Sequence, residues 1–124
     1  MPEISTSADR LQELKLQIDR FSADRDWGQF HTPKNLAMAL SVEAAELLEI
    51  FQWEDGSSGM TGFSTSKREA VENEVADVFV YLLRFCSVAS IDLLAATNRK
   101  LQENAKKYPV ELSKGSSKKY DELK

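Results

Sequence analysis

The segment LAMALSVEAAELLEIFQWED, Leu36 to Asp55, constrains the fold more tightly than any other stretch of the chain. Wound at 100° per residue, its apolar side chains cover nearly the whole circumference, the pattern of a helix packed on several sides. Yet Glu43 falls on the line of Leu36, Leu40 and Leu47, and Glu46 falls among Ala39, Val42, Ile50 and Trp53. A carboxylate in such a setting is costly unless something pairs with it. Whatever this chain folds into must neutralise those two acids.

The segment belongs to an all-helical pattern. A first helix is expected from about Ser7 to Asp26, with Leu11, Leu14, Ile18 and Phe21 as its apolar stripe. Thr32 is a good N-cap and Pro33 a preferred first residue for the second helix, which runs to about Trp53. After the loop DGSSGMTGFST, Ser66 to Glu69 reads as a capping box opening a third helix with the stripe Val71, Val75, Val78, Leu82, Phe85 and Ala89. Ser90 is expected to cap a fourth helix from about Ile91 to Tyr108, which Pro109 stops. The chain has 124 residues, enough for one core, so we expect a single four-helix bundle over residues 1–112 and a flexible polar tail over 113–124.

The third helix repeats the acidic anomaly. Beside its stripe, Glu74, Asp77 and Tyr81 lie at i, i+3 and i+7, so each long helix offers an acidic pair three residues apart. The ordinary explanation is a solvated face paired with Lys67, Arg68 or Arg84. Only Arg84 lies near the acidic line, too few cations for four carboxylates. A hard divalent cation with oxygen ligands resolves the conflict, and Mg²⁺ (or Mn²⁺ in its place) is the ion that carboxylates and phosphates share. The only histidine, His31, precedes the second helix, so the Glu-x-x-His pairs of di-iron bundles are absent. No zinc motif or Walker-type glycine loop occurs.

Charge and hydropathy narrow the partners. Net charge is −4, which disfavours a nucleic-acid backbone. No apolar run approaches the ~18 residues of a spanning helix and no leader-like segment opens the chain, so no membrane partner and cytoplasmic residence are expected. The single cysteine, Cys86, sits among apolar residues and reads as core.

The motifs together resemble a known family. Glu43-x-x-Glu46 followed by Glu74-x-x-Asp77 is similar to the E-x-x-E…E-x-x-D signature of MazG-like nucleotide pyrophosphohydrolases. The stretches RDWGQFHTPKNLAMALSVEAAELLEIFQW, NEVADVFVYL and SKGSSKKYDEL resemble its dCTP pyrophosphatase branch, in order, over roughly residues 20 to 124. The resemblance implies an all-α homo-oligomer that hydrolyses a (deoxy)nucleoside triphosphate to the monophosphate and pyrophosphate. It implies Mg²⁺ at Glu43, Glu46, Glu74 and Asp77, and Glu46 or Glu49 as acceptor of the water's proton. Trp27, Trp53 and Tyr81 would build the base pocket, with Asn104 on the base edge. Lys100, Lys107 and Tyr108 would face the phosphates, and His31, Lys34 and Asn35 match the family's HxPxNL element. One departure stands out: a base-stacking histidine of vertebrate-like members is Ile18 here.

A second class of reading is a non-catalytic helical oligomer or adaptor whose acids are structural; two intact acidic pairs favour the enzyme. Either way, Met38, Ala45, Leu48 and Phe51 lie away from the Glu43 line, and such surplus apolar surface suggests an interface, a tetramer before a dimer. In that assembly Lys118 and Lys119 of the tail could close over the phosphates.

Overall fold

The computed structural model describes residues 8–57 and 59–123. Its elements are α1 (Ala8–Asp24), a 3-10 turn (Trp27–Gln29), α2 (Pro33–Phe51), α3 (Thr65–Ala89), α4 (Leu93–Lys107), the short α5 (Val110–Ser113) and a 3-10 turn (Tyr120–Glu122). No strand occurs among the described residues, as the all-α reading required. The expected start of the first helix at Ser7 and the last tail residue, Lys124, lie outside them.

Capping explains the boundaries and corrects two of them. The Thr32 hydroxyl accepts the Asn35 amide at 3.1 Å and Pro33 follows as the first helical residue, as expected. The cap of α3 is Ser64 and not Ser66: the Ser64 hydroxyl is the one three residues ahead of an unpaired amide, that of Lys67, at 3.1 Å. Ser90 likewise does not open α4. It closes α3 in the left-handed conformation (φ 56°), its amide returning to the Cys86 and Ser87 carbonyls, while Asp92 caps α4 by accepting the Ala95 amide at 3.0 Å.

The chain divides into two compact units, residues 1–90 and 91–124, whereas composition placed a boundary after residue 112. In the first unit α3 packs against both α1 and α2. Leu36 of α2 and Leu83 of α3 are its fully buried side chains, joined by Ile18, Val71 and Cys86. The expectation of an enclosed α2 fails within one chain: Met38, Val42 and Leu48 are half or more exposed, because α3 is the main neighbour of α2 among the described elements and leaves these side chains uncovered. The α3 stripe is divided in the same way. Val71 is buried, but Val75, Val78 and Leu82 border a second, open apolar groove with Met60 and Phe79, and Leu83 and Cys86 take the core positions instead. In the second unit Tyr120 stands edge-on to Tyr108 and beneath the Lys107 ammonium, so the polar tail returns to the end of α4. No single described helix is long and apolar enough to cross a membrane.

Candidate active site

Helices α2 and α3 form an antiparallel hairpin. The Glu54 carboxylate meets Lys67 and Phe51 meets Phe63 near the connecting loop, while Glu46 and Glu43 face Glu74 further along. Three of the four acids singled out in the sequence thereby converge: Glu43, Glu46 and Glu74 each offer a carboxylate oxygen within 4.8 Å of the others. Asp77, one turn beyond Glu74, is exposed; its charge acts on Glu43 and it lines the same cavity.

These groups oppose one another electrostatically. Glu43 is pushed above the ordinary carboxylate range, first by a shared hydrogen bond with the Glu74 carboxyl, then by burial, with the charges of Glu74 and Asp77 adding. Glu46 is pushed up by its hydrogen bond with Glu43 and by that neighbour's charge, with Glu49 contributing from one turn on. The cations that might have relieved this are engaged elsewhere: Lys67 with Glu54, Arg68 with Glu72, and Arg84 with Asp19 at 2.9 Å. One oxygen each of Glu43 and Glu74 is buried with no hydrogen-bond partner among the described residues. A buried carboxylate oxygen without a donor is costly, so convergent oxygens of this kind fit a hard divalent cation. The all-oxygen donor set fits Mg²⁺ or Mn²⁺ better than Zn²⁺.

Next to the carboxylates, α1 and α3 form the walls of an open-sided cavity of about 450 Å³ that Glu43 of α2 also lines. The α1 stripe expected to be core, Leu14, Ile18 and Phe21, forms one wall; Asp77, Val80, Tyr81 and Arg84, successive turns of α3, form another. His31 enters from the connection between the 3-10 turn and α2. The ring of Trp27 lies 6.1 Å from that of His31 and edge-on to Phe21 at 5.6 Å. Arg84 donates from Nε to His31 Nδ1 and from a terminal nitrogen to Asp19 Oδ1, both at 2.9 Å, and Ser87 Oγ donates to the other Asp19 oxygen. Burial and the Arg84 charge hold the His31 pKa below its ordinary value.

The structure thus gathers Glu43, Glu46, Glu74, Asp77, Tyr81, His31 and Trp27 into one neighbourhood. Within the first unit, Asn35 and Trp53 are not among the residues that line the cavity. The Asn35 side-chain amide donates to the Phe30 carbonyl at 2.9 Å, tying the start of α2 to the segment before it, and Trp53, 89% exposed, lies beyond the end of α2. Lys100 and Asn104 border a shallow depression on α4, and Lys107 and Tyr108 pack with Tyr120. Sequence reasoning missed Gln17 and Ser22 as polar groups lining the cavity, and Asp19 with Arg84 as the pair that holds His31. Arg84 was findable, because it continues the line Glu74, Asp77, Tyr81 at i+3; nothing local marks Gln17 or Asp19.

Comparison with known proteins identifies the family. The profile of the MazG-like family matches residues 38–123. The chain is 41% identical over 114 residues to dCTP pyrophosphatase 1 of Homo sapiens, spanning 91% of this chain and 67% of that protein. It is 39% identical over 119 residues to dCTP pyrophosphatase 1 of Bos taurus, with 95% and 70% covered. A crystal structure of a pyrophosphatase from Archaeoglobus fulgidus superposes with a TM-score of 0.76 at 42% identity, over 86% of this chain and 99% of that one.

Proposed function

The chain belongs to the MazG-like family, and from that premise we propose that it cleaves (deoxy)nucleoside triphosphates, dCTP and related pyrimidine nucleotides first, to the monophosphate and pyrophosphate. It is a pyrophosphohydrolase. The observation that carries the proposal is the Glu43, Glu46, Glu74 cluster, in which one buried oxygen each of Glu43 and Glu74 has no partner and no salt bridge to a cation occurs among the described residues. Mg²⁺, or Mn²⁺ in its place, would be held by Glu43, Glu46, Glu74 and Asp77 and would neutralise phosphate charge and polarise the phosphorus centre. Because Glu43, Glu46 and Glu74 form the cluster, Glu49, one turn along α2 and outside it, is the carboxylate assigned to take the proton of the attacking water. The apolar α1 wall with Trp27, His31 and Tyr81 receives the base. Asn35, Trp53, Lys100, Asn104, Lys107 and Tyr108 are assigned to substrate on family resemblance alone, and cytoplasmic residence rests on the sequence alone.

The same proposal includes a homotetramer, with a dimer as its simpler form. Its support is the row Met38, Val42, Leu48 on α2 and Val75, Phe79 on α3, all exposed in the single chain. The test is a panel of ribo- and deoxynucleoside triphosphates with Mg²⁺, read separately for phosphate and pyrophosphate. Equimolar pyrophosphate and monophosphate from dCTP is the expected result, lost on chelation. Release of single phosphates overturns the reaction, and a purine triphosphate preferred tenfold over dCTP overturns the base assignment.

A further inference from the structure

The cavity differs chemically along α3. Asp77 and Glu43 bring acceptors to its lining, while Gln17, His31 and Arg84, the last about 10 Å from Asp77 along the axis of α3, bring donors. Two of these donors are placed to serve a bound ligand. The Gln17 side-chain nitrogen is buried with no acceptor among the described residues, in a cavity whose apolar lining is Leu14, Ile18, Phe21 and Val80. His31 supplies the second. An arginine Nε always carries hydrogen, so the 2.9 Å contact from Arg84 makes His31 Nδ1 an acceptor and leaves the imidazole's own hydrogen on Nε2. Arg84 is held to this task by Asp19, itself anchored by Ser87, so four residues on α1, α3 and the connecting turn settle one tautomer.

We propose that Gln17 and His31 read the edge of the nucleobase as a pair of donors, with Asp19 and Arg84 as positioning residues that keep the imidazole in its Nε2–H form. The inference rests on the pyrophosphohydrolase reading above and names what that site selects. Two donors suit a ring that presents a bare nitrogen beside a carbonyl oxygen, as cytosine does at N3 and O2. Uracil places a hydrogen on N3, and donor then meets donor. A buried donor left unpaired, or opposed, is where hydrogen-bonding sites gain their discrimination.

The unaltered protein is therefore expected to show a higher kcat/KM for dCTP than for dUTP. Gln17→Leu and Arg84→Met should each lower that ratio roughly tenfold, what the loss of one hydrogen bond of ordinary strength delivers. A purely structural role would depress both nucleotides equally. Because His31 is the only histidine, its two ¹⁵N resonances can be followed without assignment. The unaltered protein should show hydrogen on Nε2 and a bare Nδ1, and Arg84→Met or the milder Asp19→Asn should yield mixed tautomers. A ratio near one in the unaltered protein, an unchanged ratio in both ratio variants, or hydrogen on Nδ1 overturns the proposal. Hydrolysis of neither nucleotide overturns the function and the base reader with it, while hydrolysis with an unchanged ratio overturns the reader alone.

Discussion

Leu48 is 68% exposed near the C-terminal end of α2, and its replacement by alanine separates a lone chain from an assembled one. Burying a whole leucine side chain is worth ~1.5–3 kcal/mol, so covering the two-thirds still in contact with water is worth about 1–2 kcal/mol per copy. A two-fold interface contains the residue twice, so Leu48→Ala should weaken it by about 2–4 kcal/mol, or roughly 30- to 700-fold in the dissociation constant. In a lone chain the same truncation falls within about 0.5 kcal/mol of neutral. Light scattering and sedimentation over ~0.1–100 µM are the assays. Four copies of the 14.0 kDa chain give ~56 kDa and two give ~28 kDa. The parent should hold its assembled mass where Leu48→Ala dissociates, with a melting temperature that depends on concentration. A variant whose mass and melting match the parent across the range refutes the assignment of this face to an interface, and a monomeric parent of full activity refutes the assembly.

Glu43→Gln and Asp77→Asn should each abolish turnover with far-UV circular dichroism intact; activity within tenfold of the parent in either would sink the metal assignment. The raised pKa values of Glu43 and Glu46 make the metal-free native state hold more protons than the unfolded chain between the ordinary glutamate pKa and the raised values. Metal-free stability should therefore fall as pH rises through that window, and stabilisation by Mg²⁺ should grow through it, since the ion competes with protons. Urea melts at about pH 4.5 and 7.5 with and without MgCl₂ decide this, and an Mg²⁺ increment that shrinks as pH rises contradicts it. Leu36→Ala, at a fully buried site, should cost about 3 kcal/mol in the same melts, and a loss under about 1 kcal/mol would mean that α2 is not anchored there.

Local chemistry was enough to write down the helices, because their signals travel with the sequence. Thr32 ahead of Pro33 starts α2 wherever that segment lies, and a period of 3.6 in apolar residues needs no partner to be read. The acidic pairs were equally legible: three residues apart on a helix is one face, whatever packs against it. That Glu43, Glu46 and Glu74 meet, while Asp77 stands at the cavity beside them, depends on the antiparallel register of α2 and α3, a relation between residues some 30 apart. That Ser64 rather than Ser66 caps α3, and Asp92 rather than Ser90 caps α4, was settled by which side-chain oxygen faced an unpaired amide. The core was decided in the same way. An apolar stripe shows which faces seek cover but not how many neighbours will provide it, so Val75, Met38 and Leu48 remain exposed while Leu36, Leu83 and Cys86 are enclosed. The link from Asp19 through Arg84 to His31 spans three elements with no periodic signature. Only packing brings a carboxylate, a guanidinium and an imidazole that far apart in sequence to within 2.9 Å of one another in turn.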